Sequence, residues 1–153
     1  MTRLYHAPLS PFCRKVRLTL AEKKVEVELV EERYWEQTPE FLRRNPAGKV
    51  PILRYEGRVM SESQAICEYL DETIAEPRLI PRDAAARYEV RRLCAWFDDK
   101  FHEEVTSKLV YERVNKKVMN DPRLASMMDM SKMPFDVKRM RYGGFTVIVD
   151  FPA

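Results

Sequence analysis

Along its first 75 or so residues the chain switches repeatedly between two apolar spacings, and prolines stand at several of the switches. The run Arg3-Leu4-Tyr5-His6-Ala7 has the length of a short buried strand; the Pro8-Leu9-Ser10-Pro11 stretch ends it and opens a new element. From Pro11 to about Lys24 the pattern is helical: Phe12, Val16 and Leu20 share a face with Cys13 and Leu18 beside them, while Arg14, Lys15, Arg17 and Lys23 supply the wet side. Residues 25–31 then alternate apolar and acidic positions at Val25, Val27 and Leu29, the period of a strand with one buried side. A short helix is expected around Pro39 to Arg44. Ile52 to Tyr55 and Arg58 to Met60 are strand-like runs split by Glu56-Gly57, a hairpin signal. Ser61 and Gln64 stand at capping-box spacing before a helical stripe of Ala65, Ile66, Tyr69, Leu70 and Ile74.

The resulting order is β-α-β-α-β-β-α. Two strands joined through a helix run parallel with a right-handed crossover, and the hairpin adds an antiparallel pair to the same sheet. This is the thioredoxin-like layout of an α/β domain, expected over residues 1–76. Residues 77–83 read as a linker punctuated by Pro77 and Pro81, with Asp83 as the N-cap of the next helix. From Ala84 to roughly Met119 there is no Pro or Gly. Tyr88, Leu93, Trp96, Phe97, Phe101, Val105, Leu109 and Val114 recur near helical spacing, so one long helix, broken at most once, is expected within a helical region 84–120. The tail, 121–153, changes character: a methionine-rich stretch from Met127 to Met140, a Gly-Gly pair, and a strand-like run from Phe145 to Val149. Its Pro and Gly content favours pairing of two chains or partial order over a compact monomer, with Trp96, Phe97 and Phe101 left short of cover.

Several function classes lack support. The 27 Lys and Arg against 24 Asp and Glu give +3 with both signs interspersed, so nucleic acid is not implied. No window approaches the roughly 18 consecutive apolar residues of a membrane span, and the first ten residues lack a long apolar run, so a cytoplasmic protein is the default expectation. Cys13, Cys67 and Cys94 are an odd, widely spaced set, which argues for reduced thiols and against a paired-cysteine zinc site. His6 and His102 have no ligand-like spacing, so no metal is expected.

Ser10-Pro11-Phe12-Cys13 admits two readings. A hydroxyl followed by Pro is what a plain helix start needs. A cysteine in the first turn also sits where free N–H groups and the helix dipole favour a thiolate.

With Ser10-Pro11-Phe12-Cys13, Lys49-Val50-Pro51-Ile52-Leu53 and Glu62-Ser63 in that order within a thioredoxin-like layout, the first ~75 residues resemble the N-terminal domain of glutathione S-transferases. The connector and the helix from Ala84 resemble the start of that family's helical second domain. Beyond about Asn120 the resemblance stops. It implies glutathione as co-substrate, no metal, and a small electrophilic substrate. Ser10 then donates its hydroxyl to the glutathione sulfur, its competing role being the N-cap; Cys13 matches the second, less exposed position of a Cys-x-x-Cys pair, with a buried helix-face role as the alternative. Val50-Pro51 resembles the family's cis-proline turn, where the residue before Pro presents its backbone to the tripeptide like an added strand; a plain strand-starting Pro is the alternative. Glu62 and Ser63 match the pair that holds the γ-glutamyl end at a helix N-terminus, with Ser61 as a competing cap. Lys49 matches the glycyl-carboxylate contact, or is an ordinary surface lysine. Asn45 and Gln64 receive no role.

The leading expectation is a cytoplasmic glutathione transferase-like protein that activates the glutathione thiol for conjugation to a small hydrophobic electrophile, with a homodimer as one possible form. A glutathione-dependent thiol-disulfide reductase using Cys13 and a non-catalytic glutathione-binding or interaction module are the alternatives. The resemblance implies that the second domain supplies most of the electrophile pocket, so the missing helices favour the module, while Ser at position 10 disfavours the reductase.

Overall fold

The computed structural model describes residues 1–110, 140–142 and 145–147. Its backbone divides into two compact units, 1–98 and 99–153. The first begins with β1 (Arg3–His6), α1 (Pro11–Glu22), β2 (Glu28–Glu31), a 3-10 turn (Tyr34–Glu36), α2 (Pro39–Arg44), β3 (Ile52–Tyr55), β4 (Arg58–Ser61) and α3 (Ser63–Thr73). The sheet order is β2-β1-β3-β4. β1 and β2 are parallel, with Leu4 opposite Leu29, while β3 runs antiparallel to both β1 and β4. The fold is the expected thioredoxin-like one.

Alternation across the strands sends neighbouring residues to opposite faces. Leu4 and its partner Leu53 face α1 and α3, where they join Val16, Leu20, Ile66 and Leu70, all fully buried. Tyr5 and Ile52 are the next pair along. They face the other way, and there the Arg44 guanidinium of α2 lies 4.3 Å from the centre of the Tyr5 ring. The sheet is thus covered on both sides within about 75 residues.

Four expectations change, the first being Lys23, expected on the wet side of α1 and instead 5% exposed because it pairs with a buried carboxylate of α3. Leu18 is 60% exposed rather than joining the α1 face. Leu29, in register with the buried Leu4, is 48% exposed because β2 is the edge strand, and Val25 and Val27 instead pack on the core ahead of the strand. The Ser61–Gln64 capping box does not form. Ser61 is held in β4 opposite Ile52, the N-cap of α3 is Glu62, and Gln64 turns its amide to Glu68.

At the far end of the α1–α3 layer sits a buried ion pair that no local pattern announces. Lys23 Nζ lies 2.6 Å from Asp71 Oδ1, and both side chains are almost fully buried. The ammonium also donates to the carbonyls of Ile74 and Pro77 (2.7 and 2.6 Å). The carboxylate accepts from the backbone N–H groups of Leu79 and Ile80 (2.7 and 3.0 Å). Burial alone raises a carboxyl pKa; here the Lys23 hydrogen bond and the two backbone donors outweigh it and hold Asp71 below its ordinary value. The pair therefore seats the linker on α1 and α3.

α4 (Ala84–Trp96) starts as expected at Asp83, whose carboxylate accepts from Ala86 N–H at 2.8 Å. Helical structure continues as a π-helical stretch, Phe97–Thr106, and as α5, Ser107–Val110. Where at most one break was expected, helical pitch changes twice, at Phe97 and at Ser107, and the remainder to Met119 lies outside the described residues. In the second unit β5 (Met140–Tyr142) pairs antiparallel with β6 (Phe145–Val147), the first part of the expected strand. The expectations for the methionine-rich stretch before Met140, and for Ile148 and Val149, lie outside the described residues.

Candidate functional site

The register of one residue gathers the candidate site. Ile52 pairs with Tyr5 on one side and with Ser61 on the other. The segments just after Tyr5, just before Ile52 and just after Ser61 therefore meet at one end of the sheet. They carry Ser10, Lys49-Val50-Pro51 and Glu62-Ser63 respectively.

Ser10 caps α1: its Oγ accepts from Cys13 N–H at 3.2 Å, with Pro11 opening the helix. A hydroxyl has two lone pairs and one proton. Capping consumes a lone pair, so the proton remains available to a group outside the helix, and the two readings of Ser10 are compatible. Cys13 is fully buried, and its sulfur accepts from Ala7 N–H at 3.5 Å within the β1–α1 loop. That placement fits the helix-face reading. An attacking thiolate needs access to a partner sulfur, which a fully buried Cys13 lacks.

The Val50–Pro51 peptide is cis. The turn before it is built by Asn45, a residue left without a role by its sequence context. Asn45 is 4% exposed; its Nδ2 donates to Lys49 O (2.8 Å) and its Oδ1 accepts from Ala47 N–H (3.1 Å). Gly48 adopts φ +65°, the left-handed region that favours glycine, and a β-carbon there would displace the Gln37 side-chain amide. Lys49 is exposed and Val50 half-buried, its backbone bordering the open end of the sheet.

At the start of α3, Glu62 takes φ +69° and ψ 109°, a conformation uncommon for a residue with a β-carbon, and caps the helix without a side-chain hydrogen bond. Ser63 is 7% exposed at the first helical position. The first-turn N–H groups thus have no side-chain cap, and the N-terminal dipole faces the same end of the sheet.

Behind this edge a polar network joins three helices. Lys15 Nζ donates to Gln64 Oε1 (3.3 Å) and pairs with Asp98; Gln64 Nε2 donates to Glu68 (2.9 Å), which accepts two hydrogen bonds from Arg91 (3.0 and 2.6 Å). The Arg91 and then the Gln64 hydrogen bonds hold the Glu68 carboxyl below its usual range. Gln64 therefore acts as a connector. Among the described residues no group of three or more His, Cys, Asp or Glu side chains is placed to hold a metal ion. No helix among them is long and apolar enough to cross a membrane.

Residues 4–78 match the family model for the glutathione S-transferase N-terminal domain. FtsZ-localized protein A of Caulobacter vibrioides is 43% identical over 130 residues, spanning 81% of this chain and 57% of that protein. A glutathione S-transferase from Rhodospirillum rubrum F11 superimposes with a TM-score of 0.74 at 48% identity, over 82% of this chain and 59% of that one. A Methylobacillus flagellatus KT glutathione S-transferase solved with glutathione bound gives a TM-score of 0.62 at 31% identity, over 83% and 62%. The chain spans less than two thirds of the length of each.

Proposed function

Because the chain belongs to the glutathione S-transferase family through its N-terminal domain, we propose that it binds glutathione at the sheet end bearing Ser10, Val50-Pro51 and Glu62-Ser63. The observation that carries this reading is the double register of Ile52, which brings a hydroxyl with a free proton, a backbone strand edge and an uncapped helix start to one place. Each matches one demand of the ligand. The γ-glutamyl carboxylate takes the first-turn N–H groups and the Ser63 hydroxyl of α3, and Glu62 meets the ammonium. The cysteinyl backbone pairs with Val50 in the manner of an added strand. Lys49 takes the glycyl carboxylate. Ser10 donates to the sulfur, which lowers the thiol pKa, and the thiolate attacks a small hydrophobic electrophile; with an aryl halide, the new S–C bond forms as halide leaves and the thiol proton passes to solvent.

In this reading residues 1–76 are the glutathione-binding domain, 77–83 the linker, 84–120 the start of a helical domain and 121–153 a divergent tail, in a cytoplasmic homodimer. A second reading, a glutathione-binding module with an interaction role, is favoured by the 43% identity to a protein named for its localization with FtsZ. Retention on a glutathione resin separates both readings from a chain that has lost the site: wild type is retained, and the Glu62→Ala, Ser63→Ala double variant is not. Turnover of an aryl halide by wild type, reduced in Ser10→Ala, then separates the enzyme from the module.

A further inference from the structure

We propose that Cys67 and Cys94 form a dithiol pair that a small-molecule disulfide, glutathione disulfide being the test case, converts reversibly into an intramolecular disulfide joining α3 to α4. Neither thiol belongs to the proposed glutathione site.

Contacts on both sides of the pair bring it together. On α1, Lys15 and Thr19 stand one helical turn apart and face α3: Lys15 Nζ donates to Gln64 Oε1 at 3.3 Å, and Thr19 Oγ1 lies 3.2 Å from Cys67 Sγ. α4 is fastened across this α1–α3 seam at two points. Arg91 donates twice to Glu68, the residue after Cys67, at 3.0 and 2.6 Å, and Asp98 pairs with Lys15. Cys94 is three residues beyond Arg91 and four before Asp98, and α-helical spacing holds from Arg91 through Cys94. It therefore shares the helix face that both contacts turn toward the seam. The Cys67 thiol responds to the same neighbours. Burial raises its pKa first, the Thr19 hydrogen bond and the Lys15 ammonium oppose this, and Cys94 and Asp98 raise it further.

Different access orders the steps. Cys94 is half-buried and Cys67 is 9% exposed, so Cys94 meets the oxidant first. Its thiolate, the proton lost to solvent, attacks one sulfur of glutathione disulfide; that S–S bond breaks, a mixed disulfide forms on Cys94 and one glutathione leaves as thiolate. Cys67 then loses its proton and attacks Cys94 Sγ, closing the Cys67–Cys94 bond and releasing the second glutathione. Two protein thiols are oxidised, glutathione disulfide is reduced to two glutathiones, and the leaving thiolates take up the two protons. Thr19 and Lys15 serve the second attack. The Thr19 hydroxyl has Lys15 O at 3.1 Å as its other acceptor, so its proton turns to the Cys67 sulfur as charge develops there, beside the Lys15 ammonium. Cys13, fully buried beneath the β1–α1 loop, is closed to the oxidant.

Mass spectrometry of the folded full chain after incubation with glutathione disulfide, denaturation and alkylation with iodoacetamide tests this. Wild type is expected to lose two hydrogens and retain no glutathione, to give one tryptic cross-link between residues 67 and 94, and to carry the alkyl label on Cys13 alone; dithiothreitol before alkylation restores all three labels. Cys67→Ala lacks the resolving thiol and is expected to stop at a stable glutathione adduct on Cys94, while Cys94→Ser is expected to leave Cys67 unmodified. Wild type that keeps a glutathione adduct on Cys94 has sulfurs that do not meet, which overturns the pair. Three unmodified thiols, a cross-link through Cys13, or a cross-link between two chains overturns it equally. The wild-type chain alone decides the outcome, so the test holds even where Cys67→Ala fails to fold.

Discussion

The two ends of the α1–α3 layer are finished in opposite ways. At one end Ser10 keeps a hydroxyl proton free, Glu62 sits at positive φ, and the first turn of α3 has no side-chain cap. At the other end Lys23 and Asp71 spend their charges on each other and on four backbone groups, that of Ile74 at the end of α3 and those of Pro77, Leu79 and Ile80 in the linker. Groups left open cost stability, and groups closed in a buried network restore order nearby. The contrast teaches a division of labour within two helices: one end holds the layer in place so that the other end can present unsatisfied groups to a ligand.

The largest effect is expected at the closed end. Asp71→Ala leaves the Lys23 ammonium buried without its carboxylate, so urea denaturation is expected to show a loss of about 3–5 kcal/mol. Joint replacement, Asp71→Leu with Lys23→Met, removes the stranded charge and is expected to recover most of it. A double variant no better than Asp71→Ala would mean that the backbone hydrogen bonds of the linker, rather than the ion pair, carry the effect.

At the open end the order of effects reverses, with ligand chemistry lost and stability nearly kept. Ser10→Ala removes one N-cap, about 1 kcal/mol, but is expected to lower the aryl-halide conjugation rate at saturating glutathione by about 10- to 100-fold, since it removes the donor to the thiolate. Cys13→Ala is expected to do the converse, costing stability through a small core cavity while conjugation persists. Loss of conjugation only in the Cys13 variant would return the assignment to the reductase reading.

The smallest effects are titrations. Asp71 is held below its ordinary value of 3.8, so its contribution is complete above that value and is lost as pH falls from there through the folded-state pKa. His6, buried at the end of β1, is held below its ordinary value of 6.5, first by burial and then by Arg17, with Glu31 and the Ala7 backbone opposing. The unfolded chain therefore takes up the His6 proton first, and stability falls as pH drops from about 6.5 toward the lower folded value. Urea midpoints between pH 7.5 and 5 should show this decline in wild type and a shallower one in His6→Asn.

Much of this contrast is legible in the chain, and the unread part has a common cause. α2 and β3 have the bounds that their prolines and apolar runs predict, Pro39–Arg44 and Ile52–Tyr55, because turn punctuation and period act locally. Ser61 has the spacing of a helix cap because cap and acceptor are three residues apart, but pairing with Ile52 across the hairpin claims it for β4. Leu29 has the period of a buried residue and is exposed because burial depends on strand order, which period does not encode. The same holds for the site. Ser10, Val50 and Ser63 stand in recognisable short motifs; Gln37 acts through a hydrogen bond to Gly48 O made only when separate segments meet, and Asn45 through side-chain bonds within its own turn that no apolar period marks. Lys23 and Asp71, far apart in sequence, are the extreme case.

The central claim is that the open end of the layer is a glutathione site. Isothermal titration of the folded full chain with glutathione tests it most directly. Saturable binding at or below millimolar concentration, lost in the Glu62→Ala, Ser63→Ala double variant while its urea midpoint stays close to wild type, is the predicted result; a folded wild-type chain that gives no saturable heat with millimolar glutathione contradicts it.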